Sequence, residues 1–354
     1  MRFLVAVCSV TQGNWIIFGD ERLMKRPISD LIAALKKIGA DIDVRERGIF
    51  IKGEKLVGGE IEIKADVSSQ FISALMLIAP TMEQGLSISF EQKPVSFPYI
   101  KMTADLLEEA GVNVFLSEKA LFVRGKLLNS CSFTVESDWS AASYFYALAA
   151  LKKDIIIKMQ NLSANSLQGD SIIAKWFEMF GIKTTFENDY CIASYDNEDY
   201  FLHDKYIDNN ELLLNYERTD NDNVFTEKKD VINIDFAENP DLAQTFAVVC
   251  VALNKNAHLT NLKILKYKET DRLQALFVEL KKIGANIEKT DRDFIIHKHS
   301  DLIFNEKILT YNDHRMAMSF AILKAISDEV EIDNAEVVSK SFPNFWLEFG
   351  KIFI

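Results

Sequence analysis

One pattern returns at an even interval along this chain, and that repeat constrains what it can fold into more than any other feature. Four amphipathic helical stretches each end in Gly and lead into two short strands: 30–39 with 41–44 and 48–51, 104–111 with 112–115 and 121–123, 173–181 with 184–186 and 190–192, and 276–284 with 286–288 and 294–296. A Gly closes a helix cheaply through a left-handed C′ position, and two-residue alternation marks strands with one buried face. A second, almost wholly apolar class of helix follows in fixed register. One and the same interval leads from Gly39 to Ser68, from Gly111 to Ser140 and from Gly284 to Asp313. The full period agrees as well, since Gly39 is as far from Gly111 as Asp241 is from Asp313. Only the third unit breaks step, where the interval from Gly181 to Asp241 is about doubled. Such a repeat predicts an α/β fold built from one recurring unit, with the apolar helices inside and the amphipathic ones half exposed.

The extra residues in the third unit fall at about 196–230 and are rich in Asp, Asn and Tyr, including Asp220-Asn221-Asp222-Asn223. A calcium loop would need a Gly and a closing Glu that this stretch lacks, so an exposed acidic excursion is expected. The repeat divides into an N-terminal domain at 1–136 and a C-terminal domain at 137–354. With 354 residues, 48% of them hydrophobic, the chain can bury more than one core. Its net charge of -12 leaves no domain-wide basic field, so nucleic acid is not an expected partner, and any anionic ligand must meet locally gathered cations. Cys8, Cys131, Cys191 and Cys250 lie far apart with no CxxC pair. That spacing predicts reduced thiols in a cytoplasmic protein rather than a disulfide frame or zinc site. Met1–Cys8 is at the short limit for a secretory apolar segment and lacks a cleavage pattern. The sequence has no apolar run long enough to predict a membrane span. A monomer is expected.

Two stretches carry the chemistry. Tyr311-Asn312-Asp313-His314-Arg315-Met316-Ala317-Met318 ends a short apolar strand at 307–310 and opens an apolar helix reaching to about Ile326, capped by Asn312 or Asp313. Lys268-Glu269-Thr270-Asp271-Arg272 opens the fourth Gly-ended helix, capped by Thr270 or Asp271. Both put an Arg in a first helical turn, where the helix dipole is already positive. Cations and free N–H groups concentrated at one helix end suit an anion. Arg26-Pro27, with Pro27 expected at N1, and Ser96-Phe97-Pro98-Tyr99 occupy the matching places in the first two units. Polar and charged residues therefore recur at one end of successive units.

Together these stretches resemble the signatures of the 5-enolpyruvylshikimate-3-phosphate synthases (3-phosphoshikimate 1-carboxyvinyltransferases). Asp66-Val67-Ser68-Ser69-Gln70-Phe71, Asn165-Ser166-Leu167-Gln168-Gly169-Asp170 and Lys340-Ser341-Phe342-Pro343 fit the same family. The similarity runs along the whole chain except the insertion. It implies an inverse α/β barrel of two domains, each of three βαβαββ units, with ligands held between them. The implied reaction moves the enolpyruvyl group of phosphoenolpyruvate to the 5-hydroxyl of shikimate 3-phosphate. It implies contacts to shikimate 3-phosphate from Ser68, Ser69, Gln70, Ser96, Tyr99, Asp241 and Lys268. Contacts to phosphoenolpyruvate would come from Arg26, Gln70, Arg272, Arg315 and Lys340. Asp241, Glu269 and His314 would be the catalytic groups, with no metal and no organic cofactor.

The family pattern also contains a Gly-Ser-Lys-Ser-type segment and an Asn-Ala-Gly-Thr turn ahead of Arg2, neither of which this sequence has. The repeat holds about four and a half units where the family has six. An incomplete N-terminal domain and slow turnover are the expectations that follow. Two alternatives remain open at this point. One is a non-catalytic truncated remnant that only binds anions. The other is a UDP-sugar enolpyruvyl transferase, whose reactive loop Cys has no counterpart in the placing of Cys8 or Cys131.

Overall fold

The computed structural model describes residues 1–24, 26–64, 68–125, 130–196 and 231–353. The acidic insertion lies outside them from residue 197 onward, as do Asp66 and Val67 of the Ser-rich motif. The described chain divides into two compact units, Met1–Val135 with Leu167–Gly169, and Glu136–Ser166 with Asp170–Ile354.

The first unit begins with helix α1 (Arg2–Val10), strand β1 (Gly13–Ile17), a single turn α2 (Glu21–Met24), helix α3 (Ser29–Lys37) and strands β2 (Asp41–Arg45) and β3 (Gly48–Gly53). It continues with β4 (Gly59–Ile63), α4 (Ser69–Ile78), β5 (Leu86–Phe90), α5 (Phe97–Glu109), β6 (Val114–Leu116) and β7 (Ala120–Val123). The second unit runs α6 (Trp139–Leu151), β8 (Ile156–Gln160), α7 (Ile173–Trp176), β9 (Ile182–Glu187) and β10 (Tyr190–Tyr195). After the insertion come β11 (Val231–Asp235), α8 (Ala243–Ala252), β12 (Asn256–Thr260), α9 (Arg272–Lys282), β13 (Asn286–Lys289), β14 (Phe294–His297), α10 (His314–Ala321) and α11 (Phe345–Gly350).

The repeat is visible in the sheets. Two four-stranded sheets have orders β4-β5-β7-β6 and β11-β12-β14-β13. In each, the first two strands are parallel across a buried helix, and the last two return as an antiparallel hairpin. Each is thus a βαβαββ unit. The three-stranded sheets β1-β3-β2 and β8-β10-β9 repeat the last three strands of that order. The segments before the hairpins end on left-handed glycines, Gly39 at φ +100° and Gly284 at φ +91° among them.

The apolar helices are buried as their composition requires. All residues of α8 from Ala243 to Val251 are buried. Where α6, α8 and α10 meet, hydroxyls satisfy one another: Ser143 Oγ donates to Thr245 Oγ1 at 3.3 Å, and Thr245 Oγ1 lies 3.2 Å from Ser319 Oγ. These short side chains let the helices approach closely without leaving buried polar atoms unpaired. No helix among the described residues is long and apolar enough to cross a membrane.

Three local expectations differ from the structure. The third amphipathic helix is one α turn, α7, followed by a 3-10 turn at Phe177–Phe180. A 3-10 turn eclipses positions three apart, and it brings both Phe177 and Phe180 onto Phe246 at ring-centroid distances of 6.1 and 5.3 Å. Pro27 is not at N1: the helical ladder begins with Ile32 N donating to Ile28 O, so Pro27 precedes the cap residue Ile28. The strand expected at 307–310 is reduced to one parallel bridge, Ile308 with Ile332. Its other edge is occupied by side chains of α9, since Lys282 Nζ donates to Lys307 O and Leu309 N donates to Glu279 Oε2.

A Cβ placed on Gly284 would meet nothing nearer than Asp301 O at 3.7 Å. Gly284→Ala therefore isolates the backbone cost of φ +91°. It should destabilise the second unit by about 1 kcal/mol, read as a lower urea midpoint with an unchanged m-value.

Candidate active site

In the second unit the N-termini of three helices carry the charged residues. Asp271 caps α9, its carboxylate accepting from Gln274 N at 3.0 Å, which leaves Arg272 at N1. Asp313 caps α10 and accepts from Arg315 N at 2.9 Å, so His314 and Arg315 lie in the first turn. A 3-10 turn, Pro240–Leu242, leads into α8 and presents Asp241. Both Arg residues thus stand at the end the dipole disfavours, and carboxylates compensate them.

Arg272 is 3% exposed and Asp313 0%. Arg272 Nε donates to Asp313 Oδ2 at 2.7 Å and Nη2 donates to Oδ1 at 3.2 Å, a two-pronged pairing, while Nη1 donates to Asp241 Oδ1 at 2.9 Å. Arg315 Nη1 donates to the Asp241 backbone carbonyl at 3.2 Å, and its Nη2 lies 3.5 Å from Asp241 Oδ2. Lys268 Nζ is 3.2 Å from Asp241 Oδ1. Burial pushes the Asp241 carboxyl up, but Arg315, Lys268 and Arg272 together outweigh it and hold the group far below the usual carboxylate range.

A second carboxylate lies beside this cluster. Glu269 Oε2 is 3.5 Å from His314 Nδ1 and 3.7 Å from Lys340 Nζ. Lys340 Nζ donates to Asn312 O at 2.6 Å. Glu269, Asp313 and His314 offer atoms within 4.8 Å of one another, close enough for a metal ion. Both Asp313 oxygens are already taken by Arg272 and the Arg315 amide, and Lys340 flanks Glu269. With those oxygens engaged and a cation beside Glu269, the donor set suits an anion better than a cation.

Sequence reasoning gave no role to Asp170, the last residue of the quoted Asn165–Asp170 stretch. It is 3% exposed, accepts from Ser140 Oγ, and takes Asn239 Nδ2 on Oδ1 at 3.2 Å. Burial raises its carboxyl above the ordinary value. Asp170 thereby ties α6 to the turn that presents Asp241. The local pattern marks Asp313 only as a cap, and its grip on Arg272 is likewise a tertiary contact that no local pattern encodes.

The first unit gathers a smaller cluster. Ser68 caps α4, yet its hydroxyl makes no cap bond; Arg2 Nη1 donates to Ser68 Oγ at 3.2 Å and to Gln70 Oε1 at 2.6 Å. Arg2 also stacks on Phe71, 4.8 Å from the ring centroid. Burial, and after it the charge of Arg26, lowers the Arg2 guanidinium below its ordinary value. Arg2 is thus brought to the Ser68–Gln70 stretch, a placement its position in the sequence did not announce. Ser69 is buried at the first position of α4. Ser96 caps α5 in a left-handed conformation, φ +54°, and its carbonyl accepts from Tyr99 N. Helices α4 and α5 pack together.

The sequence profile of the EPSP synthases (3-phosphoshikimate 1-carboxyvinyltransferases) matches residues 1–349. The chain belongs to the EPSP synthase family. A 3-phosphoshikimate 1-carboxyvinyltransferase of Bacteroides fragilis (strain YCH46) is 37% identical over 375 aligned positions, covering 99% of this chain and 80% of that protein. The enzyme of the same description from Shewanella sp. (strain W3-18-1) is 32% identical, over 99% of this chain and 76% of its own length. Among solved structures, the EPSP synthase of Acinetobacter baumannii superposes with a TM-score of 0.71 at 20% identity, covering 99% of this chain and 76% of that one, which shows a shared fold. Membership in the EPSP synthases sets aside the UDP-sugar alternative.

The depressed Asp241 carboxyl has a consequence for acid stability. A group whose folded value lies below its unfolded value of about 3.9 stabilises the fold above that pH, and the contribution is lost as pH falls toward the folded value. In the unaltered chain stability should therefore drop between about pH 4 and 2. Asp241→Asn should flatten that part of the profile, measured by urea unfolding at stepped pH.

Proposed function

We propose that this chain transfers the enolpyruvyl group of phosphoenolpyruvate to the 5-hydroxyl of shikimate 3-phosphate and releases phosphate, the shikimate-pathway step toward chorismate and the aromatic amino acids. Family membership carries the reaction, and the convergence of Lys268, Arg272 and Arg315 on Asp241 supports the choice of residues.

Ser68, Ser69, Gln70, Ser96, Tyr99, Asp241 and Lys268 bind shikimate 3-phosphate. Hydroxyls and helix N-termini suit its phosphate. Arg26, Gln70, Arg272, Arg315 and Lys340 bind phosphoenolpyruvate, whose carboxylate and phosphate match guanidinium forks. In the first half-reaction the 5-hydroxyl oxygen bonds to the central carbon of phosphoenolpyruvate. Asp241 takes the hydroxyl proton, and Glu269, with His314 beside it, gives a proton to the methylene carbon. In the second half, Glu269 takes a proton back from the new methyl group, the carbon–oxygen bond to phosphate breaks, and the double bond re-forms. Asp241 is a weak base while three cations hold it. Phosphoenolpyruvate, itself anionic, draws Arg315 and Arg272 toward its own oxygens and so raises the basicity of Asp241 as the substrate arrives. We further infer a cytoplasmic monomer without nucleic-acid or membrane partners. Free Cys8, Cys131, Cys191 and Cys250 support a reducing compartment.

Phosphate release from phosphoenolpyruvate and shikimate 3-phosphate tests this reading. Glu269→Gln and Asp241→Asn should each lower kcat by roughly 100- to 10,000-fold, and Arg315→Ala should raise KM for phosphoenolpyruvate. A chain that binds phosphoenolpyruvate in calorimetry but releases no phosphate would favour the anion-binding remnant instead.

A further inference from the structure

Behind the α9–α10 cluster lies a buried carboxylate that the reaction above does not use. Glu279 sits two turns after Arg272 on the same helix and is 0% exposed. Its Oε2 accepts from Leu309 N at 3.0 Å and from Lys282 Nζ at 2.5 Å, and its Oε1 accepts from Tyr311 OH at 2.8 Å. Lys282 Nζ also donates to Lys307 O at 3.0 Å. The pair Glu279–Lys282 therefore engages Lys307 and Leu309 through their backbone and Tyr311 through its hydroxyl. The intervening residue, Ile308, is held on the opposite edge: its N donates to Glu331 O, and its O accepts from Asp333 N, both at 2.8 Å.

This segment leads straight into the site. Tyr311 and Asn312 are consecutive non-glycine residues in the left-handed region, at φ +52° and +60°. Asn tolerates that backbone, but a bulky Tyr is strained in it, so the turn persists only where surrounding contacts over-determine it. Tyr311 is fixed from one side by Glu279. Asn312 is fixed from the other by Lys340 Nζ on its carbonyl and by Asn334 Nδ2 on its Oδ1 at 3.0 Å. The next residues are Asp313, His314 and Arg315. Burial and then the bond to Glu279 also push the Tyr311 hydroxyl up to about 12, which keeps it a donor.

We propose that Glu279 is a positioning residue for phosphoenolpyruvate: by holding Leu309 N and the Tyr311 hydroxyl it sets the left-handed turn that aims His314 and Arg315, without touching substrate itself. The proposal rests on the reading that Arg315 and His314 act on phosphoenolpyruvate. A carboxylate on the same helix as Arg272 ties both sides of that grip to one rigid element. A displacement of about 1 Å in such a turn is enough to matter, because reacting groups must be held at near-contact distances.

The test uses the full chain and three variants, Glu279→Gln, Tyr311→Phe and Arg315→Ala, assayed by phosphate release with each substrate varied in turn. Glu279→Gln and Tyr311→Phe should each worsen kcat/KM for phosphoenolpyruvate by roughly ten-fold, about the effect of losing one hydrogen bond to a charged group. KM for shikimate 3-phosphate should stay within about two-fold, and in the double variant the two losses should fail to add, since both break one link. Tyr311→Phe removes a single hydroxyl, so it keeps the comparison usable if Glu279→Gln does not fold. If turnover of the unaltered chain is too slow to follow, Kd for phosphoenolpyruvate by calorimetry is compared in the same way. An unchanged value for phosphoenolpyruvate in Tyr311→Phe, alongside a raised one in Arg315→Ala, overturns the positioning role and leaves the site reading intact. Equal losses for both substrates would overturn it too, as a general loosening of the fold. No effect of Arg315→Ala would overturn the site reading itself, and the positioning role with it.

Discussion

The two-pronged bond of Arg272 on Asp313 is the interaction on which the rest of the second unit's cluster depends. Both partners are removed from water, Arg272 at 3% and Asp313 at 0% exposure. Burying such charges costs several kcal/mol per ion, by general estimate, unless geometry and further hydrogen bonds offset it. Here the offset is nearly complete, since Arg272 also donates to Asp241 and Asp313 also accepts from the Arg315 amide. The result is mechanical as much as electrostatic. Asp313 ties the start of α9 to the start of α10, and Asp241 brings the start of α8 to the same point. Three helix N-termini are thus pinned by two carboxylates, in a chain whose net charge is -12. A local cationic site survives in an acidic protein because its counter-charges are placed and numbered rather than diffuse.

The first unit solves the same problem with neutral partners. Arg2 meets Ser68 and Gln70, with the Phe71 ring beneath it, and the like charge of Arg26 weighs on it. Neutral acceptors satisfy the geometry of a guanidinium without cancelling its charge. The contacts of the two clusters therefore differ in kind: carboxylates meet Arg272 and Arg315 in the second unit, and neutral acceptors meet Arg2 in the first.

Much of this was legible in the sequence because the repeat couples local signals that are weak alone. Glycines at 39, 111, 181 and 284 all take left-handed backbone, as the helix endings required. The caps at Asp271 and Asp313 were within the alternatives a short polar side chain permits. What escaped was tertiary. Nothing near Asp170 in the chain says that Ser140 and Asn239 will close on it. The strand at 307–310 has the right composition but loses its pairing edge to Glu279 and Lys282, on a helix earlier in the chain. The 3-10 turn at Phe177–Phe180 answers to the ring of Phe246, which the local helical pattern does not contain. The roles proposed for Ser68, Ser96 and Lys340 rest on family likeness, since each alone reads as an ordinary surface or cap residue.

Asp241 gives the site an occupant of its own. Its carboxylate is tethered where Lys268, Arg272 and Arg315 converge, so it competes with any incoming anion at a local concentration that free ions in solution cannot match. A small monovalent anion offers those cations no more than Asp241 already does and gains little by entering. A ligand that carries a phosphate and a carboxylate on one frame can exchange for it, because it engages several donors at once. On the function proposed above, the grip is selective before any part of a substrate's shape is read: binding exchanges one anion for a better one, and the carboxylate set loose is the group proposed to take the hydroxyl proton.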